Sequence, residues 1–164
     1  MITRPAIPAD APDMTALLNE IIAIGGTTAY TTPLTEEQVL RDYITRESLI
    51  SSHVAEADDR VVGFQWLRWA DPECDGMPKG WAIIASFVAT SAAGKGIGKH
   101  LFAATATSAT KAGVTTIDAT IRGDNTSGLR YYSGLGFEDY DRLTDIELSD
   151  GTVVDKVRKR FEIS

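Results

Sequence analysis

The 164 residues contain a single cysteine, Cys74, which excludes an internal disulfide and any cysteine-built metal cluster. Histidine is nearly as scarce, with His53 and His100 alone, and neither lies in a Ser-His-Asp or Cys-His arrangement. No apolar run reaches the roughly 18 residues that a membrane span requires. The start, Met1-Ile2-Thr3-Arg4-Pro5, lacks the apolar stretch of a secretory leader, so a cytoplasmic protein without a membrane partner is expected. Basic residues are outnumbered, 16 against 23 acidic, for a net charge of −7, which argues against nucleic acid as a partner. Repeats, low-complexity tracts and linkers are also missing, so residues 1–164 read as one domain. What remains is ordinary for a soluble globular chain: 43% hydrophobic and 24% charged residues.

Read in order, the chain alternates between helical and extended patterns. Ile2 to Pro5 is a short strand. Asp10-Ala11-Pro12-Asp13 has the acidic cap and early proline of a helix start, and Met14, Leu17, Leu18, Ile21 and Ile22 follow at helical spacing. Gly25-Gly26 closes that helix, and a polar loop runs from Thr27 to Leu34. Thr35-Glu36-Glu37-Gln38 forms a capping box ahead of Val39, Leu40, Tyr43 and Ile44. Strands are expected over 49–57 and 61–69, joined at Asp58-Asp59-Arg60, and a loop over 71–79. A strand from Trp81 to Val88 leads into a third helix ending near Gly113. A strand over 114–121, a helix over 125–134 and two tail strands over 137–148 and 152–163 complete the chain. The order is that of an α/β domain with a mixed sheet of about seven strands and about four helices.

The centre of this plan is the passage from the apolar strand Trp81–Val88 into the helix. Glycines stand at alternate positions, Gly94, Gly96 and Gly98, and Ile97, Leu101 and Phe102 begin the helical pattern. The first amides of a helix have no internal partner and carry the positive end of its dipole. With Lys95 and Lys99 nearby, the loop suits a phosphate or pyrophosphate. It is not the dinucleotide fingerprint G-x-G-x-x-G, nor the nucleoside-triphosphate loop G-x-x-x-x-G-K-[ST]; the spacing excludes both.

The stretch Val88-Ala89-Thr90-Ser91-Ala92-Ala93-Gly94-Lys95-Gly96-Ile97-Gly98-Lys99-His100-Leu101 resembles the acyl-CoA loop of the GNAT N-acetyltransferases. Gly96 and Gly98 match that family's small residues, and Ala93 stands where an Arg or Gln is usual. A second block, Asn125 followed by Tyr132 and Leu135-Gly136-Phe137, is similar to the family's late helix. The resemblance implies a GNAT fold, a splayed sheet and acetyl-CoA as acyl donor, with no metal. It implies that Gly94, Lys95, Gly96, Ile97, Gly98 and Lys99 hold the pyrophosphate, and that Phe87 and Val88 hold the pantetheine arm. It places Ser86 near the acyl end, Asn125 against the cofactor arm and Tyr132 as general acid to the CoA sulfur. Tyr131 is expected only to pack its helix, and a helix cap is the other reading of Asn125.

Many relatives carry a glutamate in the strand before the glycine loop. Here that strand reads Ala82-Ile83-Ile84-Ala85-Ser86, and Asp118 and Glu73 are the acids that could serve instead of water or an already neutral amine. The segment from Asn19 to Thr35 is similar, more loosely, to the phosphinothricin and methionine-sulfoximine acetyltransferases, which makes Tyr30 and Thr31 candidate acceptor contacts. The expected function is acetyl transfer to the amine of a small, amino-acid-like molecule. A non-catalytic acyl-CoA sensor and a generic phosphate-ligand protein are the alternatives, and Tyr132 argues against the sensor. Family habit also implies a homodimer.

Overall fold

The structure, a computed structural model, describes residues 1–163; Ser164, the last residue of the expected domain, lies outside them. Seven segments pair into one sheet: β1 (Ile2–Pro5), β2 (Leu49–Ala57), β3 (Arg60–Trp69), β4 (Trp81–Val88), β5 (Thr116–Arg122), β6 (Glu138–Glu147) and β7 (Val153–Glu162). Their spatial order is β1-β2-β3-β4-β5-β7-β6, with β4 and β5 parallel and every other pair antiparallel. Four helices cover the faces: α1 (Ala11–Ile24), α2 (Glu36–Tyr43), α3 (Ile97–Ala112) and α4 (Thr126–Leu135). No described helix is long and apolar enough to cross a membrane.

Strand alternation divides the core in two. On one face Met14, Leu18, Val39 and Tyr43 from α1 and α2 pack on Val54, Phe64 and Trp66, with Ile83, Ala85 and Phe87 of β4 against them. On the other, Phe102 of α3 and Tyr132 of α4 pack on Leu67, Ala82, Ile84, Ile117, Ala119 and Ile121. Even-numbered residues of β4 therefore face α3 and α4, and odd-numbered ones face α1 and α2.

Local signals act as the sequence suggests. Thr35 Oγ1 accepts from the Gln38 amide at 3.1 Å, and Gln38 Oε1 accepts from the Thr35 amide at 2.8 Å, which closes the capping box of α2. The turn between β2 and β3 holds Asp58 at φ 52° and Asp59 at φ 60°, the left-handed pair that a tight hairpin needs. Strand β5 starts at Thr116 rather than Val114. The Thr115 amide bonds Gly80 O at 2.9 Å and the Val114 amide bonds Ala109 O, so these residues finish the helix-to-strand turn.

Arg4 ties the first strand to the first helix. Its two terminal nitrogens bond the two Asp10 oxygens, each at 2.8 Å, and Nε bonds Glu56 at 3.0 Å. Asp10 also accepts from the Ile7 amide at 2.8 Å. The hydrogen bond from Arg4 is the main cause holding the Asp10 carboxyl below its ordinary range. That depressed value stabilises the fold at neutral pH, and the contribution is lost as pH falls through it. Asp10→Ala should lower the unfolding free energy by about 1–3 kcal/mol, because Arg4 and the Ile7 amide lose a buried acceptor. Urea unfolding at pH 7 reads this, and an unchanged midpoint would mean the cluster contributes nothing.

Candidate active site

The parallel pairing of β4 with β5 covers only Trp81 with Thr116, Ala82 with Ile117 and Ile83 with Asp118. Strand β4 continues to Val88 and stays in register with β3 as far as Val88 opposite Gly63. The sheet thus forks after Ile83, and one edge of β4 is left without a strand. The Ala89 amide donates to Val62 O and Trp81 O accepts from Ala70, so odd-numbered residues of β4 turn their main chain toward β3. By alternation, the amides and carbonyls of Ser86 and Val88 turn toward the fork. Phe87 has its main chain on the β3 side, where its register partner is Phe64, and contributes its side chain.

A cleft of about 370 Å³ opens at this fork. Ser86, Phe87 and Val88 form its strand wall, Ala93 and Gly98 its loop end, and Asn125, Gly128 and Tyr131 the side made by α4. The end of α1 and the loop after it close the cleft with Ile21, Ile24 and Thr27. At the loop end Gly94 and Gly96 lie at φ +78° and +76°, which a side chain would strain, and Gly96 is the N-cap of α3. Among the described residues the amides of Gly94, Lys95, Gly96, Ile97 and Gly98 find no acceptor. Lys95 and Lys99 are exposed beside them, and Ile97 is buried beneath.

The remaining expected residues fall into different positions. Asn125 is the N-cap of α4: its Oδ1 accepts from the Gly128 amide at 3.0 Å, and its Nδ2 donates to Thr27 O at 3.2 Å. It caps the helix, lines the cleft and holds the Thr27 loop in place. Tyr132 is 6% exposed and does not line the cleft; its hydroxyl lies 2.8 Å from Ser86 Oγ, which does. Burial holds the Tyr132 phenol above the ordinary tyrosine range, so its proton is in place at neutral pH. Tyr30 and Thr31 are not cleft residues; the Tyr30 hydroxyl meets that of Tyr43, and the Thr31 hydroxyl meets that of Ser149.

Tyr131 departs from its expected role. Its ring lines the cleft, its hydroxyl donates to Gly98 O at 2.7 Å, and it accepts from Gln65 Nε2 at 3.0 Å. Gln65, fully buried in β3, also donates to Ser86 Oγ at 2.7 Å. A lone glutamine in the apolar run Val61-Val62-Gly63-Phe64-Gln65-Trp66-Leu67 was the available signal, since a buried amide needs partners.

Neither acid stands in the cleft. Asp118 is fully buried among donors, with hydroxyls from Tyr140 and, at 2.9 Å, from Thr120, and Arg158 Nε at 3.6 Å. Its neighbours Ile117 and Ala119 face α3, so Asp118 faces the opposite side of the sheet. Desolvation pushes its carboxyl up. Glu73 is exposed in the 71–79 loop, and Cys74 beside it has its thiol raised by Asp71. His53 is partly buried in β2, and burial lowers its imidazole.

A mixed α/β sheet that forks beside a glycine-capped helix is the GNAT fold. The chain belongs to the GNAT acetyltransferase family, whose sequence profile matches residues 15–137. An N-acetyltransferase from Staphylococcus aureus Mu50 superposes with a TM-score of 0.87 at 20% identity, covering 99% of this chain and 98% of that one. A phosphinothricin acetyltransferase from Sinorhizobium meliloti, solved in complex with AcCoA, gives 0.85 at 24% identity over 99% of this chain and 88% of that one. In sequence, the chain is 31% identical over 87 residues to the mycothiol acetyltransferase of Tsukamurella paurometabola, a match spanning 53% of this chain and 28% of that relative.

Proposed function

We propose that the protein moves the acetyl group of acetyl-CoA directly to the amine of a small, amino-acid-like molecule. The observation that supports this most is the fork itself. The free main-chain edge of β4, at Ser86 and Val88, faces a cleft whose far end is the unpaired amide row of Gly94 to Gly98. An extended amide-bearing arm suits the first, and a pyrophosphate suits the second. In this reading Gly94, Lys95, Gly96, Ile97, Gly98 and Lys99 receive the pyrophosphate. Val88, with the Phe87 ring beside it, receives the pantetheine arm, and Asn125 closes the α4 side. Tyr132 supplies the proton for the leaving thiolate, and Tyr30 and Thr31 border the acceptor side.

An activated thioester needs no covalent enzyme intermediate; holding the amine against the carbonyl and managing protons suffices. Calorimetric titration of acetyl-CoA, with 3′-phospho-ADP as control, tests the reading. Micromolar binding that is tighter than the control is expected, followed by CoA release when an amine panel is supplied. No binding at millimolar acetyl-CoA would reject it.

A further inference from the structure

The hydrogen bonds around Ser86 have a fixed direction, and one group sets it. Gly98 O is a carbonyl and can only accept, so the single proton of the Tyr131 hydroxyl, 2.7 Å away, is committed to it. The Gln65 atom facing that hydroxyl at 3.0 Å must then be a donor, which assigns it as the amide nitrogen Nε2. The same nitrogen lies 2.7 Å from Ser86 Oγ, so Ser86 accepts there. The Tyr131 hydroxyl also stands near Ser86 but its proton is committed to Gly98 O, and Tyr132 is the remaining hydrogen-bond partner of Ser86, at 2.8 Å. If Ser86 donated to Tyr132, the phenolic proton would be left in the interior with no other acceptor among the described residues, the costly arrangement for a buried donor. Tyr132 therefore donates to Ser86. The serine's own proton then has no acceptor among the hydrogen bonds of the described residues, and of the two residues only Ser86 lines the cleft.

We infer that Ser86 is the residue that protonates the departing CoA sulfur, with Tyr132 reprotonating it from behind and Gln65 as a positioning residue that keeps the Ser86 proton turned to the cleft. The inference rests on the acetyl transfer proposed above and adds a catalytic residue to it. As the amine nitrogen bonds to the thioester carbon, the C–S bond breaks and its electron pair leaves on sulfur. Sulfur takes the Ser86 proton and Ser86 takes the Tyr132 proton. The amine nitrogen sheds its proton to solvent, and after the transfer a solvent proton reloads Tyr132 through Ser86 at the cleft, so the products are the amide and CoA thiol. Ser86 is reachable at the strand edge, whereas Tyr132 would have to leave a packed aromatic cluster with Tyr131 and Phe137 to touch the sulfur itself.

The test needs no acceptor amine. The thiol of enzyme-bound CoA is titrated by its ultraviolet thiolate absorbance in the unaltered protein, Ser86→Ala, Gln65→Glu and Tyr132→Phe. A donor at Ser86 stabilises the thiolate, so Ser86→Ala should raise the bound thiol's pKa by about one unit, a tenfold change in its ionisation. Gln65→Glu offers an acceptor where the amide donated, turns the Ser86 proton away, and should raise it similarly at neutral pH. Tyr132→Phe should move it less, because the Ser86 proton is retained. An unchanged thiol in Ser86→Ala together with a raised one in Tyr132→Phe would overturn the inference and return the donor role to Tyr132. Failure of CoA to bind the unaltered protein would instead remove the acetyl-transfer reading, and the relay with it.

Discussion

Tyr132→Phe is expected to lower turnover by about 10²- to 10⁴-fold while acetyl-CoA binds as before. The substitution removes one oxygen and little else. The ring sits 4.8 Å from the Tyr131 ring and 5.1 Å from that of Phe137, both edge to face, and phenylalanine keeps both arrangements. One buried hydrogen bond to Ser86 is lost, which should lower stability by only about 1 kcal/mol. Binding should hold because the cleft is lined by Ser86 and Tyr131 rather than Tyr132. The proton supply behind Ser86 is what disappears. Thiol release with an accepted amine, set beside calorimetry, separates the two effects; turnover within a factor of two or three of the unaltered enzyme would leave Tyr132 a packing residue.

The raised phenol adds a pH signature. Because desolvation holds the proton on Tyr132 above the ordinary tyrosine range, the donor form persists as pH rises through 10. Any alkaline fall in kcat should therefore have the same midpoint in the unaltered enzyme and in Tyr132→Phe.

The two motif blocks were legible because each is local. A glycine run before a helical pattern and an asparagine at a helix start announce themselves within a dozen residues, and both landed at the cleft. The fork was not legible, because it depends on where β4 stops pairing with β5, and that is set by strands far apart in sequence. Tyr131 and Tyr132 could not be told apart by type. Consecutive helical residues point about 100° apart, so one ring lines the cleft while the other turns into the core. The order of the polar Thr27–Leu34 loop leaves no local signal in its own residues. It comes from distant partners: Asn19 bonds both polar main-chain groups of Leu34, Arg122 bonds Thr28 O at 3.0 Å, and Asn125 bonds Thr27 O. The hydroxyls of Tyr30 and Thr31, the candidate acceptor contacts, meet those of Tyr43 and Ser149, partners that lie 13 and 118 residues away and leave no local pattern.

Gly98→Ala is expected to weaken acetyl-CoA binding at least about tenfold, equivalent to about 1.4 kcal/mol. Backbone preference alone predicts the opposite sign. Gly98 lies in the first turn of α3 without positive φ, and alanine there should favour the helix by about 1 kcal/mol. Sterics decide the outcome. A methyl at Gly98 would sit 2.5 Å from Cε1 and 2.9 Å from Cζ of the Tyr131 ring, a rigid group that cannot fold aside. Moving the ring breaks the bond from its hydroxyl to Gly98 O and frees the Gln65 amide from one of its two acceptors. The third glycine of the loop is therefore required by a tyrosine 33 residues further along the chain, not by its own torsion angles. Two controls isolate this cause. Gly134→Ala in α4 meets nothing within 4 Å and should stabilise the protein slightly without touching affinity. In a Tyr131→Ala background the steric cost of Gly98→Ala should vanish, since the ring it strikes is gone, and only the helix gain of about 1 kcal/mol should remain in the protein's stability. Unchanged acetyl-CoA affinity in Gly98→Ala would show that the ring can shift without consequence, and that the close packing of loop and helix does not shape the cleft.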